Sequence, residues 1–292
     1  MSAVVTSPGE TGMPSPVVRK KRRKITSYFL PVFTGGMILF LAFPVLVMIV
    51  YSFNVLVGER QTSKFTCCTL KWWREILYVP SLNQALLMSI KVAIPAALLA
   101  TAMGTFVGLV LGRYSFRGRG ATNFVIFLAI VVPEIVLGSS LLTMFVQLNV
   151  AKPGGFTIPL GYSSILISHV AFSIAFVAIT VRARVSGLDM TLENAAQDLF
   201  ATPRVAFVKI TLPLILPGIV AGFLLAFVLS LDDFVITNFV NGSTNTFPTW
   251  VYGAVKIGIP PQVNVWGTVL FTVGVSIAFF SLIRSSRKPK AA

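Results

Sequence analysis

Leu192-Glu-Asn-Ala-Ala-Gln-Asp-Leu-Phe-Ala-Thr-Pro203 and Lys209-Ile-Thr-Leu-Pro-Leu-Ile-Leu-Pro-Gly218 bracket a polar segment set between two long apolar runs. Asp189 and Thr191 supply oxygens that suit the start of a helix. Leu192, Ala195, Ala196 and Leu199 then recur at i, i+3, i+4 and i+7, the spacing of an amphipathic helix with a small-residue face. Pro203 is placed to open a second short helix, since its fixed φ and missing N–H are harmless in a first turn. Two short helices joined by a turn make a rigid knob. From Leu212 onward the sequence returns to hydrocarbon-like composition.

Composition explains what the flanking runs are for. Of 292 residues, 55% are hydrophobic and 11% charged, where soluble domains average about 25% charged. Nine acidic residues cannot cover a soluble surface of this size. Several apolar stretches approach about 20 residues, enough to cross a ~30 Å hydrocarbon core as a helix, and a helix satisfies its own backbone there. Six spans are expected, at 28–51, 85–111, 122–147, 164–181, 212–238 and 263–283. Pro44, Pro95, Pro133 and Pro217 fall inside them, where they are tolerated when neighbours re-satisfy the backbone.

The net charge of +15 invites a nucleic-acid reading, which its distribution opposes. Seventeen Lys and Arg residues sit in the N-terminal tail, after spans two and four, and after span six; six sit in the opposite loops, and Lys91 lies inside span two. That asymmetry orients both termini and the 182–211 loop toward the cytoplasm. Trp72, Trp73, Trp250 and Trp266 fit an outer interfacial belt. Residues 1–27 read as a disordered basic tail, 28–283 as the membrane domain and 284–292 as a second basic tail. The first apolar run is too long for a signal-peptide core, so span one is expected to be a retained anchor. Cys67 and Cys68 are adjacent, a poor geometry for a structural disulfide, and no spacing suggests a metal site.

The quoted segment resembles the cytoplasmic EAA loop of permease subunits in bacterial ABC importers. The pattern of that family is Glu-Ala-Ala, three residues, Gly, nine residues, Ile, any residue, Leu-Pro. Ala195, Ala196, Ile210, Leu212 and Pro213 fall in register. Asn194 stands where Glu is usual, with Glu193 beside it, and Phe200 stands where Gly is usual. A Gly there would permit φ > 0 at the turn, so Phe200 must take an ordinary conformation or carry strain. Leu111–Arg119, Val132–Gly138, Ser168–Phe172, Ser230–Phe239 and Val255–Asn264 extend the resemblance to the second permease subunit of spermidine/putrescine importers (the PotC/PotI type).

That resemblance implies an all-α integral membrane protein of six transmembrane helices with the type I importer (MetI-like) fold. It implies a non-enzymatic subunit of the cytoplasmic (inner) membrane that moves polyamines inward by alternating access. The implied partners are a homologous second permease (PotB/PotH type), a dimer of an ATPase (PotA/PotG type), an extracytoplasmic polyamine-binding protein and membrane lipids. ATP and Mg would be held by the ATPase and no cofactor by this chain. In agreement, the chain has no phosphate-binding loop and no nucleophile–base arrangement. Glu193, Asn194, Ala195, Ala196, Asp198, Phe200 and Pro203 are the residues the resemblance assigns to ATPase coupling.

Physics singles out a second set. A carboxylate at membrane depth costs roughly 2.5–3.5 kcal/mol on an insertion scale and ordinarily faces a cavity or a partner. Three fall inside expected spans: Glu134, Asp232 and Asp233. Neighbouring helical residues diverge by about 100°, so one aspartate can face a pathway while the other pairs internally. His169 is placed to bond one of them. Asp232, Asp233, Glu134 and His169 are therefore the candidate substrate-pathway residues, each with a structural alternative in capping, pairing or fixing the Pro133 kink. Two other functions fit less of the sequence. A permease for another small solute shares the frame. An ion-coupled secondary transporter would use the same acids but is expected to show inverted repeats, and none is visible.

Overall fold

The computed structural model describes residues 26–55, 65–66, 68–151, 157–189 and 191–286. The terminal tails and Cys67 thus lie outside the described residues, apart from the ends of the first and last helices. The elements, in order, are α1 (Thr26–Tyr51), α2 (Lys71–Arg74), α3 (Pro80–Arg113), α4 (Arg119–Val131), α5 (Glu134–Ala151), α6 (Tyr162–Ser186), α7 (Thr191–Asp198), α8 (Pro203–Ala206), a π turn (Phe207–Thr211), α9 (Leu212–Asp232), α10 (Val235–Val240), α11 (Phe247–Ile257) and α12 (Gln262–Ser286). Among the described residues there is no strand beyond an isolated bridge between Asn54 and Cys68.

Four helices are long and apolar enough to cross a membrane: Phe29–Tyr51, Pro80–Arg113, Tyr162–Ser186 and the continuous run Pro203–Asp232. A fifth crossing is made if α4 and α5 are taken together. The expected 263–283 segment is one 25-residue helix, α12. The described residues thus give four to five crossings by length and apolarity, where the sequence suggested six.

Two expected spans are not continuous. Span 122–147 is broken between α4 and α5, which bend by 104°. Pro133 lies at the break, and Val132 before it is extended at ψ 126°, the conformation that the proline ring imposes on its predecessor. Span 212–238 stops at Asp232, where Asp233 leaves the helix at ψ 121° and α10 starts anew. At its other end the same helix reaches back to Pro203 through the π turn. Pro213 cannot donate a backbone bond, and just ahead of it the ladder loosens, Leu212 N–H bonding Phe207 C=O five residues back.

The core is built by α3, α6 and α9. Gly104, Gly108 and Gly112 form one ridge of α3, and a Cβ at Gly104 would stand 2.7 Å from that of Val177. Val181 and Val185 meet the next two glycines one turn and two turns on. Such spacing lets helix backbones approach where lipid offers no hydrophobic drive for association. Ala97, Ala100, Ile215 and Ala226 close the cluster, all fully buried. Within α3, Pro95 leaves the Lys91 carbonyl without its helical donor, and the Tyr162 hydroxyl donates to it at 3.3 Å. By contrast α1 is exposed along nearly its whole length and lies against α12.

Candidate functional site

The loop after α6 forms the expected knob. Asp189 accepts the Thr191 N–H at 2.9 Å and so opens α7. That bond holds the Asp189 carboxyl below its ordinary pKa. At the far end, Ala201 N–H bonds Ala196 C=O and Phe200 N–H bonds Gln197 C=O. This pair of bonds is the Schellman cap, whose penultimate residue takes the left-handed conformation and is usually glycine. Phe200 occupies that position with φ 65°, the one non-glycine residue of positive φ among those described. The sequence posed an ordinary conformation against strain; strain is what the backbone shows. Thr202 then accepts the Val205 N–H and Pro203 starts α8.

The burial of one residue fixes which way α7 faces. Glu193, which the resemblance assigns to ATPase coupling, is turned inward and 5% exposed. Its Oε1 is 2.5 Å from Arg113 Nη2 at the end of α3, and its Oε2 accepts the Thr211 hydroxyl at 2.9 Å. The Arg113 hydrogen bond dominates its environment and keeps this carboxyl below the usual glutamate range. Because the one buried residue of α7 is its acid, the apolar stripe turns out to solvent. Leu192 is 49% exposed, Leu199 81% and Phe200 98%; Asn194, Ala195 and Asp198 are exposed with them, and Ala196 is half-buried. A cavity of about 410 Å³ lies beside the clamp, lined by Arg113, Tyr114, Glu193, Pro203, Arg204, Phe207 and Val208. No sequence-local signal marks the clamp, since its two charged members are 80 residues apart.

The membrane acids separate into two environments. Asp233 and His169 are buried, with Oδ2 and Nε2 3.2 Å apart. Thr237 donates both its N–H (2.8 Å) and its hydroxyl (2.7 Å) to the same carboxylate oxygen, and the Ile236 N–H reaches the other at 3.4 Å. Asp233 thus caps α10 as well as pairing with α6. His169 Nδ1 lies 2.7 Å from Ser230 Oγ. A carboxylate only accepts, so the tautomer with Nε2–H satisfies all these groups, leaving Nδ1 to accept from Ser230. Asp232 and Glu134 are both exposed. Each sits at a helix break, Asp232 at the end of α9 and Glu134 in the first turn of α5. The two breaks are joined by packing of α10 on α5, where Gly138 admits Phe239 and Ile236.

Residues 104–287 match the family model described as "Binding-protein-dependent transport system inner membrane component". The chain is 37% identical over 254 residues to the putrescine transport system permease protein PotI of Escherichia coli strain K12, covering 85% of this chain and 89% of that protein. It is 35% identical over 252 residues to the spermidine/putrescine transport system permease protein PotC of the same strain, covering 86% and 91%. Among solved structures, it shares its fold with a chain of a bacterial ABC transporter involved in the import of the acidic polysaccharide alginate. The TM-score is 0.63 at 14% identity, over 95% of this chain and 100% of that one.

Proposed function

The chain belongs to the family of binding-protein-dependent transport system inner membrane components, and on that footing we propose that it is the polyamine-translocating permease subunit of an ATP-driven importer. In this reading the chain performs no chemistry. It alternates between outward- and inward-open forms while a dimeric ATPase, holding ATP and Mg, drives it from the cytoplasm. A homologous second permease completes the pathway and an extracytoplasmic binding protein delivers the cargo. Putrescine and spermidine are the cargo class because PotI and PotC bear those names at 35–37% identity over most of this chain.

The observation that carries the proposal is the outward apolar stripe of α7. A helix in water turns its apolar side to a core, yet Leu192, Ala195 and Leu199 face away from one and the acid faces in. That surface has the character of a docking face. The exposed acids at the α4–α5 and α9–α10 breaks give a route its charge. Asp232 and Glu134 attract a multiply protonated amine, while Asp233 stays bound to His169 and keeps the break in place. With few exposed carboxylates the attraction is diffuse, which lets cargo leave as readily as it enters.

Ala195→Arg tests the docking face. A long cation on the exposed stripe leaves membrane insertion intact, because the loop lies outside the apolar spans. ATPase association and cargo uptake are expected to fall at least tenfold. Unchanged association and uptake would refute docking through α7. The orientation has its own check: in intact cells, a cysteine at Ser243 is expected to react with membrane-impermeant reagents from outside. One at Ser15 is expected to react only with permeant reagents. The reverse pattern would place the knob on the wrong side of the membrane.

A further inference from the structure

We infer that Phe200 is a partner-specific anchor of the α7 docking face: its ring fills an apolar pocket in the ATPase that glycine at this position would leave empty. The inference rests on the docking reading above. Its starting point is a cost with no return inside the chain. Phe200 holds φ 65° at the cap of α7, a conformation that glycine adopts freely and an L-residue with a Cβ does not. Strain of this kind persists where it serves a contact or a mechanism. Yet the ring is 98% exposed, so nothing within the chain is stabilised by it. The surface it extends is not isolated either, because Leu199 beside it is 81% exposed and the stripe continues through Ala195 to Leu192.

Charge selects the occupant. A helix that rests on an anionic bilayer carries Lys and Arg on its polar side. Residues 191–200 contain neither; their charged residues are Glu193, turned inward, and Asp198, exposed. Of the basic residues nearby, Arg113, Arg182 and Arg184 belong to α3 and α6 behind the knob, and Arg204 to α8 rather than to the α7 stripe. The Leu199–Phe200 tip therefore fits a protein pocket with an apolar floor, with a cationic rim to meet Asp198. A buried aromatic at the centre of a small interface is the residue type that dominates binding.

The test titrates purified ATPase subunit onto the full-length chain in nanodiscs. Phe200→Gly removes the ring and relieves the backbone, whereas Phe200→Ala removes the ring alone. Both are expected to weaken ATPase affinity by about thirtyfold, the effect of truncating an interface anchor, and Phe200→Leu by less than fivefold. Without ATPase, the Phe200→Gly chain is expected to melt no lower than the wild type, which separates a binding loss from a folding loss. Phe200→Trp is expected to shift its emission to the blue only when ATPase is added. Wild-type affinity in Phe200→Gly would overturn the inference. So would a blue shift without ATPase, which would assign the ring to lipid or, if it grew with chain concentration, to a second copy. If Ala195→Arg abolishes association while Phe200→Gly leaves it intact, the docking reading stands and the anchor alone fails. If neither variant affects association, the docking reading itself fails.

Discussion

Asp233→Leu is expected to abolish recovery of the assembled transporter, whereas Asp232→Asn is expected to leave assembly untouched and impair transport. The asymmetry follows from their surroundings. Removing the Asp233 carboxylate strips the cap from α10, leaves the Thr237 N–H and hydroxyl without their acceptor, and reduces the Nε2 contacts of His169 to the Thr237 hydroxyl alone. A buried donor left without its acceptor costs about 1–3 kcal/mol, and the lost helix cap adds about 1 kcal/mol. Yield and melting temperature should fall, with every cargo affected alike. Asp232 is exposed at the same break, so its amide variant should fold and assemble normally. Its uptake should fall most for the more highly charged polyamine, because the attraction scales with cargo charge. Stable, assembled Asp233→Leu would show that the capping network is dispensable. Equal uptake of putrescine and spermidine by Asp232→Asn at wild-type rates would remove Asp232 from the pathway.

Glu193→Ala should uncouple the machine without dismantling it. The substitution removes the acceptor shared by Arg113 and Thr211, so α7 loses its tie to α3 and to the π turn. An unpaired, partly buried donor costs about 1–3 kcal/mol. The docking stripe is unaltered, so the ATPase should still bind and hydrolyse ATP at its basal rate. Stimulation by cargo, and uptake itself, should fall at least tenfold. Exchanging the partners, Arg113→Glu with Glu193→Arg, should recover part of the loss; no recovery alongside a normal single variant would discard the clamp. The pH dependence has a definite sign. Glu193 is depressed in the folded protein, so its contribution is complete above the unfolded glutamate value and is lost only as pH falls through the lower, folded value. The clamp should hold at neutral and mildly acid pH and give way only below the normal glutamate range.

Periodicity and register placed most helices and the knob, because those signals are local. The strain at Phe200 was one of two readings left open, since an aromatic at a glycine position must either strain the turn or take an ordinary conformation. The pairing of one aspartate with His169 was among the readings left open, because adjacent helical residues must diverge. A kink at Pro133 was legible, but not a full break. Proline can kink or end a membrane helix, and what decides is whether neighbours re-satisfy the freed backbone. Here Val132 goes extended and the chain turns by 104°. The inward turn of Glu193 was hidden for a different reason. The stripe pattern tells which residues share a face, not which way the face points, and the residue that fixes it, Arg113, is remote in sequence.

The length of α3 gives the molecule a mechanical property. Near its N-terminal end, Asn83 accepts the Trp266 indole N–H and Ser89 accepts the Phe247 N–H, tying it to α12 and α11. At its C-terminal end, Arg113 holds the knob. From Asn83 to Arg113 the helix advances about 45 Å, well beyond the ~30 Å of hydrocarbon. It is therefore a lever pinned at both ends. A tilt of about 5° over that length displaces one end by about 4 Å relative to the other. A tilt imposed at the α7 end would thus reach α11 and α12, on the opposite side of the membrane, as a shift of several ångströms.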